Sequence, residues 1–145
     1  MRRATLLCAL AIASLVAASP RDSAVIVNSG STNTVGYAIT IWSDGKASLT
    51  THNRDGSATG PAKAFSVAPA TAARFFADLA AAKNANAVTV PCMKSASFGS
   101  STHIKWQGWD SPDLECPPKS AQGDALVKDV GEIRQASGLA QTPLR

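Results

Sequence analysis

Two histidines, His52 and His103, are the side chains in this sequence best suited to proton transfer or metal binding. A histidine beside a carboxylate can act as a general base, and histidines at the right spacing can hold zinc. No Asp or Glu lies near His52 in its own segment, and neither histidine belongs to a motif with metal-ligand spacing. Two exposed histidines without a bound metal are the simplest interpretation, and no cofactor is predicted.

Other reactive residue types fall in patterns typical of turns. Asp110, Asp113 and Glu115 surround a proline, but a calcium loop needs a denser set of oxygen ligands around a glycine turn. Ser43 and Lys46 have the spacing of a catalytic Ser-x-x-Lys pair, which would begin a helix, whereas here they span a predicted hairpin turn. The chain contains no Gly-x-Ser-x-Gly, His-Glu-x-x-His or glycine-rich phosphate motif. The sequence therefore favours a protein without catalytic activity over an enzyme.

The N-terminus has the order of regions typical of a secretory signal: a basic start, an apolar run and small residues before a cleavage site. Two arginines precede the apolar residues 4–16, and small side chains lead up to Ala18. Cleavage is predicted after Ala18, and the run is too short to remain as a membrane span. Residues 1–18 are thus predicted to be a signal peptide, and residues 19–145 a single secreted or periplasmic domain.

Three cysteines occur in the chain, and Cys8 would leave with the signal peptide. In an exported protein the remaining two, Cys92 and Cys116, most simply form one disulfide. A loop of this length would contribute about 3 kcal/mol, mainly by restricting the unfolded chain. A reactive thiol pair or a metal site fits the long spacing less well.

The charge of the chain argues against several classes of partner. It carries 14 basic and 10 acidic residues, and removal of Arg2 and Arg3 leaves 12 basic residues in the mature protein. A net charge of about +2, with no cluster of Lys or Arg, does not predict binding to nucleic acid or to an anionic membrane. The expected partner is a protein or a small ligand in the cell envelope or the medium.

The strongest local signal is a β-hairpin in residues 37–52. Apolar and polar residues alternate on both sides of a Ser-Asp-Gly turn that ends at Gly45. A two-residue turn would place Ile41 opposite Ser48, whereas a three-residue turn with Gly45 in a bulge places Ile41 opposite Ala47. The second register is predicted because it keeps the apolar side chains on one face. The side chains that then face away are those of Thr40, Trp42, Ser48, Thr50 and His52.

Shorter strand signals flank the hairpin. The predicted strands lie at residues 24–27, 63–67, 88–90 and 100–107. The last of these alternates, so that Trp106 is buried while His103 and Lys105 face water. Residues 108–112 are expected to turn the chain. If the two hairpins lie side by side, Trp42 and both histidines gather on one polar face.

Helical spacing of apolar residues predicts two helices, at residues 70–83 and 120–137. The first follows Pro69, a residue suited to a first turn, and the second ends before Gly138, which suits the left-handed position. Strands joined mostly by hairpins, together with two amphipathic helices, predict an α+β fold. In this fold an antiparallel sheet carries two helices packed on one face.

Residues 92–99, Cys-Met-Lys-Ser-Ala-Ser-Phe-Gly, and residues 111–117, Ser-Pro-Asp-Leu-Glu-Cys-Pro, resemble segments of small, uncharacterised secreted proteins of soil bacteria. The resemblance extends over most of the mature chain, from the hairpin to the second helix. It implies export and an α+β fold. It transfers no functional residue, because no activity is attached to its motifs.

The loop that begins at Cys92, beside the predicted disulfide, suggests a recognition role. A convex loop from Cys92 to Ser95, with Met93 or Lys94 at its tip, would be preorganised, as in many protease inhibitors. The simpler alternative to a recognition loop is an ordinary hairpin connection that the disulfide happens to cross-link. The predicted function is a binding module, with a protease inhibitor or a small hydrolase that uses His52 or His103 as alternatives. Exposed aromatic and basic side chains favour contact, so the candidate binding residues are Trp42, His52, Met93, Lys94, His103, Lys105 and Trp109.

Overall fold

The computed structural model describes residues 21–87, 89–97 and 99–139. The predicted signal peptide, its cleavage site and the last six residues lie outside these ranges. No helix within them is long and apolar enough to cross a membrane. The elements are β1 (Ser23–Asn28), β2 (Gly36–Trp42), β3 (Lys46–His52), β4 (Lys63–Ser66), α1 (Pro69–Asn84), β5 (Thr102–Trp106), β6 (Trp109–Asp110) and α2 (Ala121–Ser137).

The described strands form one antiparallel sheet in the order β4-β3-β2-β1-β5-β6. The helices α1 and α2 contact each other and bury their apolar stripes against the sheet. The core residues without exposed surface include Ile26, Ile39 and Ile104 from the sheet, Phe75 and Leu79 from α1, and Leu126, Val130 and Ile133 from α2. The predicted α+β class, with an antiparallel sheet and two helices, is confirmed.

The hairpin of β2 and β3 has the predicted register. Ile41 pairs with Ala47, and Ile39 pairs with Leu49. Gly45 adopts a φ of +83°, and its N–H donates a 2.9 Å hydrogen bond to the Trp42 carbonyl. Glycine adopts this left-handed conformation without the strain that a β-carbon would cause. The three-residue turn therefore brings the apolar side chains of both strands onto the core face.

Both helices begin and end close to the predicted residues. Pro69 lies in the first turn of α1, where a missing N–H costs nothing. The Ser120 hydroxyl caps α2 by accepting a 3.2 Å hydrogen bond from the Gly123 N–H. Gly138 ends α2 in the left-handed conformation with a φ of 78°.

Three connections differ from the predictions. Strand β1 lies between β2 and β5, so the two hairpins do not lie side by side. Thr89 makes an isolated bridge to Pro118 in place of the predicted strand at 88–90, of which Val88 lies outside the described residues. The chain turns at Gln107 and Gly108, which both have positive φ, earlier than the predicted turn at 108–112. Two successive positive φ values match the twist of a tight hairpin, and this turn allows β6 to pair with β5.

Candidate functional site

The outward face of the sheet carries several of the predicted binding residues, but it separates them. Trp42 lies at one end of the seven-residue strand β2, and His52 lies opposite Gly36 at the other end. Two strands, β2 and β1, lie between His52 on β3 and His103 on β5. Three inter-strand spacings correspond to about 14 Å across the sheet. These side chains share a face without forming one cluster.

Backbone carbonyls fix the orientation of both histidines. Nδ1 of His52 lies 3.1 Å from the Asn53 carbonyl oxygen, and Nδ1 of His103 lies 3.0 Å from that of Ser111. A carbonyl oxygen only accepts, so Nδ1 donates in each pair. Across residues 21–87, 89–97 and 99–139, no group of three or more His, Cys, Asp or Glu side chains is placed to hold a metal ion.

His103 and Lys105 do come together. They line an open depression of about 400 Å³ on the outward face, with Asp110 of β6 directly opposite Lys105. Lys105 and Asp110 both line this depression, so it carries one basic and one acidic side chain. The depression is wide and shallow, and the His103 ring is already bonded to backbone at its wall.

Trp109 lies away from the segment that contains Cys92 and Met93. It pairs with Trp106 across the β5–β6 hairpin and packs, partly buried, against the core. Directly opposed residues of two strands point to the same side of the sheet, so Trp109 shares the helix-covered side with Trp106. Its ring therefore contributes to packing, and it does not form a common surface with Met93.

Cys92 and Cys116 form the predicted disulfide, with their Cα atoms 5.5 Å apart. Cys116 is buried, with 6% of its surface exposed, while Cys92 lies in an exposed segment. The bond joins this segment to the start of the connection that leads into α2. A disulfide of this kind is compatible with an extracellular location.

Residues 89–97, here called the braced segment, protrude from the domain. Met93 is fully exposed, at 102% of its reference surface, and Val90 is 42% exposed. Backbone hydrogen bonds hold the segment at both ends. The Val90 N–H donates to the Pro117 carbonyl at 2.8 Å, and the Ser97 carbonyl accepts from the Thr32 N–H at 2.9 Å. Together with the disulfide, these bonds fix an otherwise exposed stretch of chain.

Lys94 folds back against the domain and does not extend into solvent. Its ammonium group donates to the Asp113 carboxylate and to the Ser100 carbonyl. Asp113 Oδ1 also accepts from the N–H groups of Thr102 at 3.1 Å and Glu115 at 3.0 Å. Partial burial opposes ionisation of Asp113, but Lys94 and the two N–H groups outweigh it and lower its pKa. Lys94 is therefore an anchor of the braced segment, and Met93 is its tip.

Sequence reasoning missed Asp113 as the partner of Lys94, although a signal was present. Lys94 lies two residues after Cys92, and Asp113 lies three residues before Cys116. A disulfide between these cysteines brings the two charged side chains close together. Opposite charges close in sequence to the two cysteines of a predicted disulfide thus indicate a possible ion pair.

Comparison with protein-family models, with curated proteins and with solved structures finds no match for this chain. Function is therefore inferred from the geometry of the described residues.

Proposed function

We propose that this protein is exported and acts as a binding module, with the braced segment as its contact surface. The observation that carries the proposal is the full exposure of Met93 within a segment held by a disulfide and by hydrogen bonds at both ends. An exposed apolar side chain on fixed backbone can bind a partner without a large ordering cost. The N-terminal signal pattern and the disulfide support export.

The charge distribution of the braced segment favours a protein partner with an apolar cleft. Lys94 is the one charged residue among residues 89–97, and Asp113 neutralises it. Contact would then depend on Met93, Val90 and the exposed backbone. Methionine is enriched and charged residues are depleted at the centres of protein interfaces.

The test is a pull-down from the envelope and medium of the producing cells, with the mature, disulfide-bonded protein immobilised. Met93→Asp places a carboxylate at the tip, and Ala73→Asp places one on the exposed side of α1 as a matched control. We expect wild type and Ala73→Asp to retain the same protein and Met93→Asp to lose it. Equal retention by all three proteins would show that the braced segment is not the contact surface.

A protease inhibitor is the second candidate function, and the exposure of Met93 favours it. Because Lys94 is held by Asp113, the side chain offered to a primary specificity pocket would be apolar. We expect inhibition of serine proteases with a hydrophobic primary pocket, such as chymotrypsin and subtilisin, and none of trypsin, whose pocket selects a basic side chain. Inhibition assays with wild type and Met93→Asp decide this, since inhibition of trypsin alone would contradict the assignment.

A further inference from the structure

Met93 is the one methionine that the predicted mature chain retains. The sequence contains two methionines, and Met1 belongs to the predicted signal peptide. The Met93 side chain is exposed over 102% of its reference surface, so no described residue covers its thioether sulfur. Methionine is more often buried, where neighbouring side chains keep solutes away from the sulfur. Here the sulfur is open to any small molecule dissolved in the surrounding medium.

The other sulfur atoms of residues 19–145 are already oxidised. They belong to Cys92 and Cys116, which are joined in the disulfide. A disulfide has no thiolate, and the thiolate is the form of cysteine that reacts with peroxides. Met93 is therefore the sulfur group of this domain that a peroxide oxidises most readily.

A peroxide oxidises a thioether in a reaction that needs no further group from the protein. The sulfur lone pair attacks one oxygen of hydrogen peroxide, so that an S–O bond forms and the O–O bond breaks. The departing hydroxide takes the proton that the transferred oxygen carried. The products are methionine sulfoxide and one water molecule, and the two electrons that sulfur loses are gained by the peroxide.

Oxidation at this position should leave the fold of the domain unchanged. Other residues form the hydrophobic core. The backbone on either side of Met93 is held by the disulfide and by the hydrogen bonds at Val90 and Ser97, and none of these bonds involves the thioether. A sulfoxide therefore changes the polarity of the tip without changing the backbone that presents it.

The change in polarity matters for an apolar contact. Oxidation converts a flexible apolar side chain into a polar one whose oxygen accepts hydrogen bonds. Burial of such a group in an apolar cleft that offers no donor is unfavourable. Because the contact proposed for the braced segment places Met93 in a cleft of this kind, oxidation should weaken it by at least about tenfold.

We propose that Met93 is a reversible oxidation site, at which a peroxide in the medium forms the sulfoxide and prevents binding through the braced segment. This inference rests on the proposed binding function. The reverse reaction belongs to methionine sulfoxide reductases, which return the sulfoxide to the thioether. The exposure that offers Met93 to a partner also offers it to the oxidant and to the reductase.

The modification is tested on the mature, disulfide-bonded protein with hydrogen peroxide as the oxidant. Peptide mass spectrometry should show the gain of one oxygen at Met93, at a rate within about threefold of that of N-acetylmethionine amide, because exposure governs susceptibility. Met93→Leu should gain no oxygen under the same conditions, and oxidation should not change the midpoint of thermal unfolding. A rate more than about tenfold slower, or a lowered midpoint, would overturn the proposal, since either result requires a packed side chain.

The effect on binding is tested in the pull-down from envelope and medium, with unmodified, oxidised and re-reduced protein. We expect the oxidised protein to retain about tenfold less of the partner than the unmodified protein retains. Treatment with the two methionine sulfoxide reductases, one for each epimer of the sulfoxide, should restore retention. Because Met93 is their one substrate in residues 19–145, restoration excludes damage elsewhere as the cause. The mass of the re-reduced protein verifies that the disulfide is intact.

Two results separate this proposal from the proposed function. Loss of the partner by Met93→Asp together with full retention by the oxidised protein would overturn the oxidation switch and leave the contact surface in place. Equal retention by Met93→Asp and wild type, or capture of no protein by wild type, would contradict the proposed function and the switch with it. The mass measurement decides the oxidation of Met93 itself in either case.

Discussion

The Lys94 ammonium group is paired with the Asp113 carboxylate beside the disulfide, so the one charged side chain of the braced segment is neutralised by the body of the domain. Both side chains are partly exposed, with 25% and 21% of their side-chain surface accessible. The pair joins the exposed segment to the backbone of β5, because Asp113 also accepts from the Thr102 N–H. The order of the braced segment therefore depends on Lys94 as well as on the disulfide.

Replacement of Lys94 by Ala should loosen the braced segment with little effect on the whole domain. We expect faster amide hydrogen exchange in residues 90–97 and a loss of about 1 kcal/mol or less in the free energy of unfolding. Exchange measured by mass spectrometry checks this. Arg21→Ala removes the exposed ion pair with Asp44 and serves as control, because it should leave exchange in the braced segment unchanged.

Loss of the disulfide should destabilise the domain by about 3 kcal/mol, since the two cysteines are 24 positions apart in the sequence. Urea unfolding of Cys92→Ser, with and without a reducing agent, measures this. The reducing agent should lower the stability of wild type but not that of the variant. In the native protein, alkylation after reduction should block the thiols of Cys92 and Cys116, whereas reaction of both thiols without reduction would contradict the bond.

A buried carboxyl on α2 should make stability depend on pH. Asp129 is 1% exposed, and its Oδ1 accepts a 2.8 Å hydrogen bond from Arg74 Nε. Burial raises the pKa of Asp129 to about 6; the Arg74 guanidinium opposes this rise, and the nearby Asp78 carboxyl adds to it. Arg74 also pairs with Glu132, so its charge is shared between two carboxylates.

The raised pKa means that the folded state binds a proton more tightly than the unfolded state. The free energy of unfolding should therefore fall by up to about 3 kcal/mol as pH rises from about 4 to above 6. Asp129→Asn should remove this slope, because an amide does not ionise and its oxygen can still accept from Arg74. Chemical unfolding at a series of pH values checks both proteins, and the same slope in wild type and variant would exclude Asp129 as its source.

A β-carbon at position 36 should be poorly tolerated. It would lie 2.3 Å from His52 Cε1 and 2.7 Å from the Asn28 carbonyl oxygen. The imidazole can move, but the carbonyl belongs to the β1–β2 pairing. We expect Gly36→Ala to cost about 1 to 3 kcal/mol in the free energy of unfolding.

Gly131 in α2 provides the matched control for this substitution. A β-carbon there would meet no atom within 4 Å, so Gly131→Ala should stabilise the protein by about 1 kcal/mol through helix propensity. Urea unfolding of the two variants should thus give changes of opposite sign. A stabilising effect of Gly36→Ala would show that the close contact with Asn28 relaxes easily.

Local patterns were sufficient to predict the hairpin and both helices. The register of β2 and β3 follows from the turn at Gly45 and from the alternation on either side of it, which are properties of neighbouring residues. The Ser120 cap and the glycine at 138 likewise act within one turn of helix. The disulfide was predictable by elimination, because two cysteines remain after the predicted signal peptide.

Only the tertiary structure decided the order of the strands and the surroundings of the candidate sites. The insertion of β1 between β2 and β5 separates Trp42 and His52 from His103, and no local pattern encodes that choice. Trp109 packs, partly buried, against the core because the turn at Gly108 lies earlier than predicted. Met93 and Lys94 are adjacent in sequence, yet a distant carboxylate holds one of them and leaves the other exposed.

A row of buried polar side chains at one end of the sheet shows the same dependence on long-range packing. Asn28, Tyr37 and Thr102 belong to three different strands. Each residue alone is an ordinary polar position, and their shared row exists only once the strands are paired. The sequence by itself determined local conformation, register and the cysteine pair, because these depend on short-range sterics and alternation. Packing of elements far apart in the chain determined which side chains meet.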